Sequence, residues 1–302
     1  MSDTRKIGFI GLGAMGLPMA SNLVRKGFQV VAYDIDAEKI ARLVALGATS
    51  AGSITEASAQ ADIVITMLPA TAHVEAVVLG DQGVLSVLRS GKVLMDMSTI
   101  DPKGTDRLVS ACAEKGIRFI DTPVGRLVSH AERGESLFMV GGDDETFAAV
   151  EPLLNAMGTA IHRCGPAGMG QRMKVINNFM LLTTAQVVSE AIALGTKLGL
   201  DIDTMKSVTG STTANNGQFQ IALATKVLNG DLAPGFTIDL AFKDMSLAIN
   251  AAAENRIGLP VGSAAHAVFG AARASDLHDK DYSALLEYAC RLAGVQTPRL
   301  DA

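Results

Sequence analysis

The chain has 302 residues, room for about two domains on the usual relation of length to domain number. Hydrophobic residues make up 48% and charged residues 19%, enough apolar material for a sizeable core, which excludes disorder as the main state. With 26 basic against 31 acidic residues the net charge is −5, no run pairs Lys and Arg with aromatics, and there is no Trp, so no nucleic-acid partner is expected.

In chain order, Met1 to Lys6 passes directly into a β-type run (Ile7, Phe9, Ile10) without the apolar stretch of a secretion signal, and a cytoplasmic protein is expected. Gly11-Leu12-Gly13-Ala14-Met15-Gly16 follows, matching G-x-G-x-x-G, and opens a helical stretch from Leu17 to Lys26 that Gly27 stops. A second β-type run, Phe28 to Tyr33, ends at Asp34. This reads as the βαβ unit of a dinucleotide site. Gly11 permits the turn out of the strand, Gly13 lets the backbone approach a pyrophosphate, and Gly16 lets helix and strand pack closely. Leu12, Ala14 and Met15 complete the cofactor loop, with the pyrophosphate on the helix N-terminus. An acid at position 34 accepts hydrogen bonds from ribose hydroxyls and repels a 2′-phosphate, so the expected cofactor is NAD. The competing reading has Asp34 begin a turn or cap a helix starting near Ala37.

Further strands are expected at 62–67, 92–97, 117–121, 136–141 and 159–163, alternating with helices. That pattern predicts an α/β Rossmann domain, a mainly parallel sheet with helices on both faces. Ligands bind outside the carboxyl ends of such strands, which makes Met67-Leu68-Pro69 and Ser98-Thr99 candidates for the cofactor side. After Gly165-Pro166-Ala167-Gly168-Met169-Gly170 the period-2 runs stop. The expected domains are therefore 1–165, dinucleotide-binding, and 166–302, all-helical, joined by a long helix at about 169–198. Later helices are expected near 201–210, 215–229, 238–256, 260–274 and 281–293. The run Val175 to Ser189 is too polar and too short to span a bilayer and reads as a buried helix. Three distant cysteines and five scattered histidines show no metal-ligand spacing, and no metal is expected.

On the long helix Lys174 and Asn178 are four apart and share a face. Projecting into a cleft, the ammonium could stabilise an incipient alkoxide and supply its proton, while the amide orients substrate. In the oxidation direction the lysine must act as a base, which needs a lowered pKa. A solvated Lys and Asn are the alternative.

These residues join three other segments: Phe9 to Ala20, Asp121-Thr122-Pro123-Val124 with the loop that follows, and Phe242-Lys243-Asp244. Together with Gly170 to Asn178, a Gly-x-x-Lys-x-x-Asn-Asn pattern, they resemble the β-hydroxyacid dehydrogenases, the family of 3-hydroxyisobutyrate dehydrogenase and tartronate semialdehyde reductase, over nearly the whole chain. The resemblance implies that Lys174 is the general acid/base, that Asn178 holds substrate, and that Lys243 and Asp244 steady the nicotinamide end. Lys243 could also pair with Asp239 one helical turn away.

Where most members read Pro-Val-Ser-Gly-Gly, this chain reads Pro123-Val124-Gly125-Arg126-Leu127. Gly125 and Arg126 thus mark the substrate loop, and a guanidinium suits a carboxylate, phosphate or sulfonate. The variant resembles the subgroup that reduces 3-sulfolactaldehyde, although Leu127-Val128-Ser129-His130 departs from that subgroup's loop. An ordinary surface ion pair is the other reading of Arg126.

The expectation is an NAD-dependent oxidoreductase of a small anionic aldehyde or its hydroxy acid, a homodimer or homotetramer with no membrane partner. Sulfolactaldehyde leads, with carboxylate semialdehydes as alternatives. A non-catalytic redox sensor is the rival from another class. The related imine-reducing class typically lacks the lysine.

Overall fold

The computed structural model describes residues 5–300. The chain forms two compact units, one ending at Lys174 and one beginning at Val175.

The first unit is built on nine strands: β1 (Lys6–Ile10), β2 (Gln29–Tyr33), β3 (Thr49–Ser50), β4 (Ile63–Thr66), β5 (Val93–Asp96), β6 (Arg118–Asp121), β7 (Val124–Gly125), β8 (Ser136–Gly141) and β9 (Gly158–Gly165). Their order is β3-β2-β1-β4-β5-β6-β8, with β7 and β9 also paired to β8. From β3 to β6 every pairing is parallel, as is β8 with β9. The exceptions are β6 and β7, which both run antiparallel to β8. Residues 121–125 carry the chain past the carboxyl edge of the parallel strands and alongside the start of β8.

The central strands are buried on both faces, which is why they read as continuous apolar runs. Along β4 and β5, Ile63, Ile65, Val93 and Met95 enter one core with Phe9 and Leu23, while Val64 and Leu94 enter a second with Val74, Leu108 and Phe119. Burying each such Ile, Leu or Val stabilises the fold by roughly 1.5–3 kcal/mol.

The second unit is helical. The long helix Met169–Lys197 enters it from the first unit, and Leu182, Ala185, Ile238, Met245, Ala265 and Phe269 form its core. A second cluster gathers Val188, Ile192, Phe219, Leu223 and Leu286. A Cβ at Gly262 would meet the Phe179 ring at 2.1 Å, so only glycine allows that approach.

Three expectations need correction. The stretch 215–229 is not one helix: Asn216 Oδ1 accepts from Phe219 N–H, and a π-helical turn Gln218–Leu223 is followed by a 3₁₀ turn Val227–Asn229. The stretch 281–293 begins with a 3₁₀ turn, Tyr282–Ala284, because the Asp281 carboxylate accepts from Ser283 N–H and also from Gly235 and Phe236. The run from Val175 to Ser189 is only half buried, since Ile176, Met180 and Val187 are exposed. The whole helix is also long and apolar enough to cross a membrane by length and composition. Its opposite face nevertheless packs in the second unit's core through Leu182, Ala185, Val188 and Ile192, as a core helix does.

Candidate functional site

In the first unit the glycines occupy the geometry their spacing predicts. Gly11 has φ +99°, and a Cβ there would meet the Met67 carbonyl at 2.3 Å. A Cβ on Gly16 would meet the Gly11 carbonyl at 2.0 Å. Gly13 faces nothing within 4 Å, the open cradle a pyrophosphate needs. The helix Gly16–Arg25 has no side-chain cap and no acid in its first turn, so its leading N–H groups and dipole suit an anion. These residues fit a dinucleotide.

Asp34 links the end of β2 to the glycine loop: Oδ2 accepts from Leu12 N–H at 2.5 Å and Oδ1 from Asp36 N–H at 2.9 Å. The following helix is capped by Asp36, which accepts from Glu38 N–H, so capping is not the task of Asp34. Beside it Ile35 is 96% exposed, an apolar surface that the motif did not point to.

Met67, Leu68 and Pro69 continue from the carboxyl end of β4. Met67 N–H donates to the Ile10 carbonyl, and Leu68 N–H to the buried Ser98 hydroxyl at 2.9 Å. Thr99 follows, half-buried. The buried Asp96 accepts from the Thr66 hydroxyl and Ser98 N–H, and its burial raises its pKa.

Sequence reasoning missed the groups that hold the start of the long helix. Asp121, fully buried at the end of β6, accepts from Gly168 N–H at 2.5 Å and Gln171 N–H at 2.6 Å. Burial outweighs these bonds and pushes its carboxyl up to about 7. The Gln171 amide donates to the Ser98 carbonyl and accepts from Ile100 N–H. One turn along, Lys174 is 9% exposed. No local pattern announces partners 47 and 50 residues apart.

At the other edge, Gly125 is buried with Leu137 3.2 Å from where its Cβ would stand, which leaves no easy room for the serine of the usual loop. Arg126 is exposed and holds φ +73°, a left-handed conformation rare for a side-chain-bearing residue. Its Nη1 donates to the Glu135 carbonyl and to the Thr159 hydroxyl. The expected alternative, a surface ion pair, is not what it forms: both acceptors are neutral.

In the second unit, Asn178 is 4% exposed and sits one turn beyond Lys174 on the same continuous helix. Its amide donates to Asp244 Oδ2 at 2.6 Å and accepts from the Asn177 amide at 3.0 Å. The Lys243 ammonium lies 2.7 Å from the other Asp244 oxygen. Asp239, one helical turn before Lys243, pairs with Arg273 at 2.6 Å. Asp244 therefore joins the Asn178 amide to a lysine from a different helix. Among the described residues no group of three or more His, Cys, Asp or Glu is placed to hold a metal.

Residues 6–165 match the family model described as the NAD binding domain of 6-phosphogluconate dehydrogenase, and residues 168–289 that described as NAD-binding of NADP-dependent 3-hydroxyisobutyrate dehydrogenase. The chain is 40% identical to 3-sulfolactaldehyde reductase of Escherichia coli (strain K12), over 96% of this chain and 97% of that protein. It is 37% identical to 2-(hydroxymethyl)glutarate dehydrogenase of Eubacterium barkeri, over 98% of each. The solved Mycobacterium tuberculosis 3-hydroxyisobutyrate dehydrogenase with L-serine superposes with TM-score 0.89 at 34% identity, covering 95% of this chain and 99% of that one. Glycine loop, acidic strand end, long helix and sequence likeness agree: the chain belongs to the β-hydroxyacid dehydrogenases, the NAD-dependent oxidoreductases that include 3-hydroxyisobutyrate dehydrogenase.

Proposed function

We propose that this protein interconverts a small anionic aldehyde and its hydroxy acid, and that the aldehyde is 3-sulfolactaldehyde. The observation that carries the substrate is Arg126, whose guanidinium takes neutral oxygens rather than a carboxylate as partners and so keeps its charge for an anion. Likeness to the Escherichia coli 3-sulfolactaldehyde reductase supports the same reading.

When bound, NAD(H) supplies or accepts the hydride at the substrate carbon. Gly11, Leu12, Gly13, Ala14, Met15 and Gly16 would hold the pyrophosphate and Asp34 the ribose, and the exposed Ile35 would pack against the base. Met67, Leu68, Pro69 and Thr99 would line the rest of the cofactor path in the first unit, and Lys243 is read as a further cofactor contact. Lys174 gives its proton to the aldehyde oxygen as negative charge develops there, and is left neutral until solvent reprotonates it. In the reverse direction the neutral amine takes the hydroxyl proton. Asn178, held by Asp244, orients the substrate, and Gly125 and Arg126 receive its acid group.

A second reading, a carboxylate semialdehyde, is favoured by the likeness to 2-(hydroxymethyl)glutarate dehydrogenase, because a guanidinium also suits a carboxylate. NADH oxidation over a panel of 3-sulfolactaldehyde, methylmalonate semialdehyde and tartronate semialdehyde separates the two. We expect the highest kcat/KM for the sulfonate; a carboxylate that matches or exceeds it sinks that assignment.

We also read the protein as a cytoplasmic homodimer or homotetramer. Met173, Met180, Val187 and Leu194 recur every seven residues on the long helix at 42–63% exposure, a stripe a second copy could cover. A sedimentation mass of one protomer would refute it.

A further inference from the structure

Arg126 combines two costs. Its backbone is left-handed, and its long side chain is held in one arrangement at the surface, both unfavourable without compensation. The hold is specific. Both Nη1 hydrogens are spent, one on the Glu135 carbonyl at the entry to β8 and one on the Thr159 hydroxyl in β9, 2.9 Å away. The Nε–Nη2 edge takes no part in these bonds, and that edge carries the parallel N–H pair suited to two oxygens of an oxyanion. Glu135 gives its carboxylate to Arg133 at 2.8 Å and only its carbonyl to Arg126. The guanidinium is thus anchored without being neutralised.

We propose that Thr159 is a positioning residue for substrate recognition: by holding Nη1 it presents the opposite edge of Arg126 as a fixed two-donor fork for a sulfonate or carboxylate. This rests on the reading of Arg126 as the anion-binding group. An unanchored arginine must give up side-chain freedom on binding, so losing the anchor weakens ground-state binding and leaves the chemical step alone. Thr159 and Arg126 are 33 residues apart in sequence, and the sheet brings them together through β8.

The test is steady-state kinetics on Thr159→Val, which keeps the shape and β-branching and removes the hydroxyl, with 3-sulfolactaldehyde and with uncharged glyceraldehyde. The expected result is a KM for the sulfonate raised about tenfold, the equivalent of one lost neutral hydrogen bond, with kcat within twofold and kcat/KM for glyceraldehyde unchanged. Thr159→Ser should restore KM, and Thr159→Val should add nothing in an Arg126→Ala background. If Arg126→Ala raises KM but Thr159→Val does not, the positioning role is overturned and the anion-binding reading stands. If Arg126→Ala leaves KM unchanged, the anion-binding reading itself falls.

Discussion

At position 34 one carboxylate is proposed to do two jobs: through Leu12 N–H it pins the glycine loop, and in the proposed site its charge would repel a 2′-phosphate. Asp34→Asn removes the charge and keeps an oxygen for the loop. It should lower the preference for NADH over NADPH at least ~10-fold, about 1.4 kcal/mol, with NADH KM rising only a few-fold; kcat/KM for both cofactors is the measurement. An unchanged preference would assign discrimination elsewhere. Features set by spacing within one motif, such as the glycines of the cofactor loop and the shared helix face of Lys174 and Asn178, were legible in sequence. Gln171 with Ser98, Asp121 with Gly168 and Arg126 with Thr159 were not, because each contact depends on strands brought together by the sheet. The left-handed backbone at Arg126 was equally hidden, since no residue type other than glycine or asparagine advertises it.

The long helix carries Lys174 and Asn178, and Asp121 holds its first turn. The Asp121 carboxyl titrates near 7 when folded against an ordinary value of 3.8. Between those values the folded protein binds the extra proton, so the contribution of Asp121 to stability falls as pH rises from about 4 to 7. The exposed acids whose pKa is lowered, such as Asp143, lose their stabilising contribution only at more acid pH. Urea unfolding across pH 5 to 7.5 should show wild type losing more stability with rising pH than Asp121→Asn. Parallel profiles would mean that Asp121 is ionised throughout. The seven longer strands were readable to within about two residues, the central ones because continuous apolar runs mark buried parallel strands. The two-residue strands β3 and β7 were not, since two residues carry no period. Helix breaks at 216–229 and 281–285 arise from side chains capping backbone N–H groups, a competition that apolar periodicity does not register.

Over the whole molecule, the order of motifs along the chain made the family legible: glycine loop, strand-end acid, substrate loop, lysine helix and Lys-Asp pair. Each alone has a bland reading, and their succession does not. What the pattern left open is the substrate, which we assign from a loop of a few residues and from a strand, β9, with no motif of its own. In the proposed reaction, bound cofactor is put to chemical use through Lys174, whereas a dinucleotide-binding sensor would need no such group. This role of Lys174 is tested by measuring NADH binding and NADH-dependent reduction of 3-sulfolactaldehyde in wild type and Lys174→Ala side by side. The account predicts an NADH Kd within about twofold of wild type and a kcat lower by ~10²–10⁴-fold, the usual worth of a positioned acid. Turnover by Lys174→Ala at the wild-type rate would contradict it.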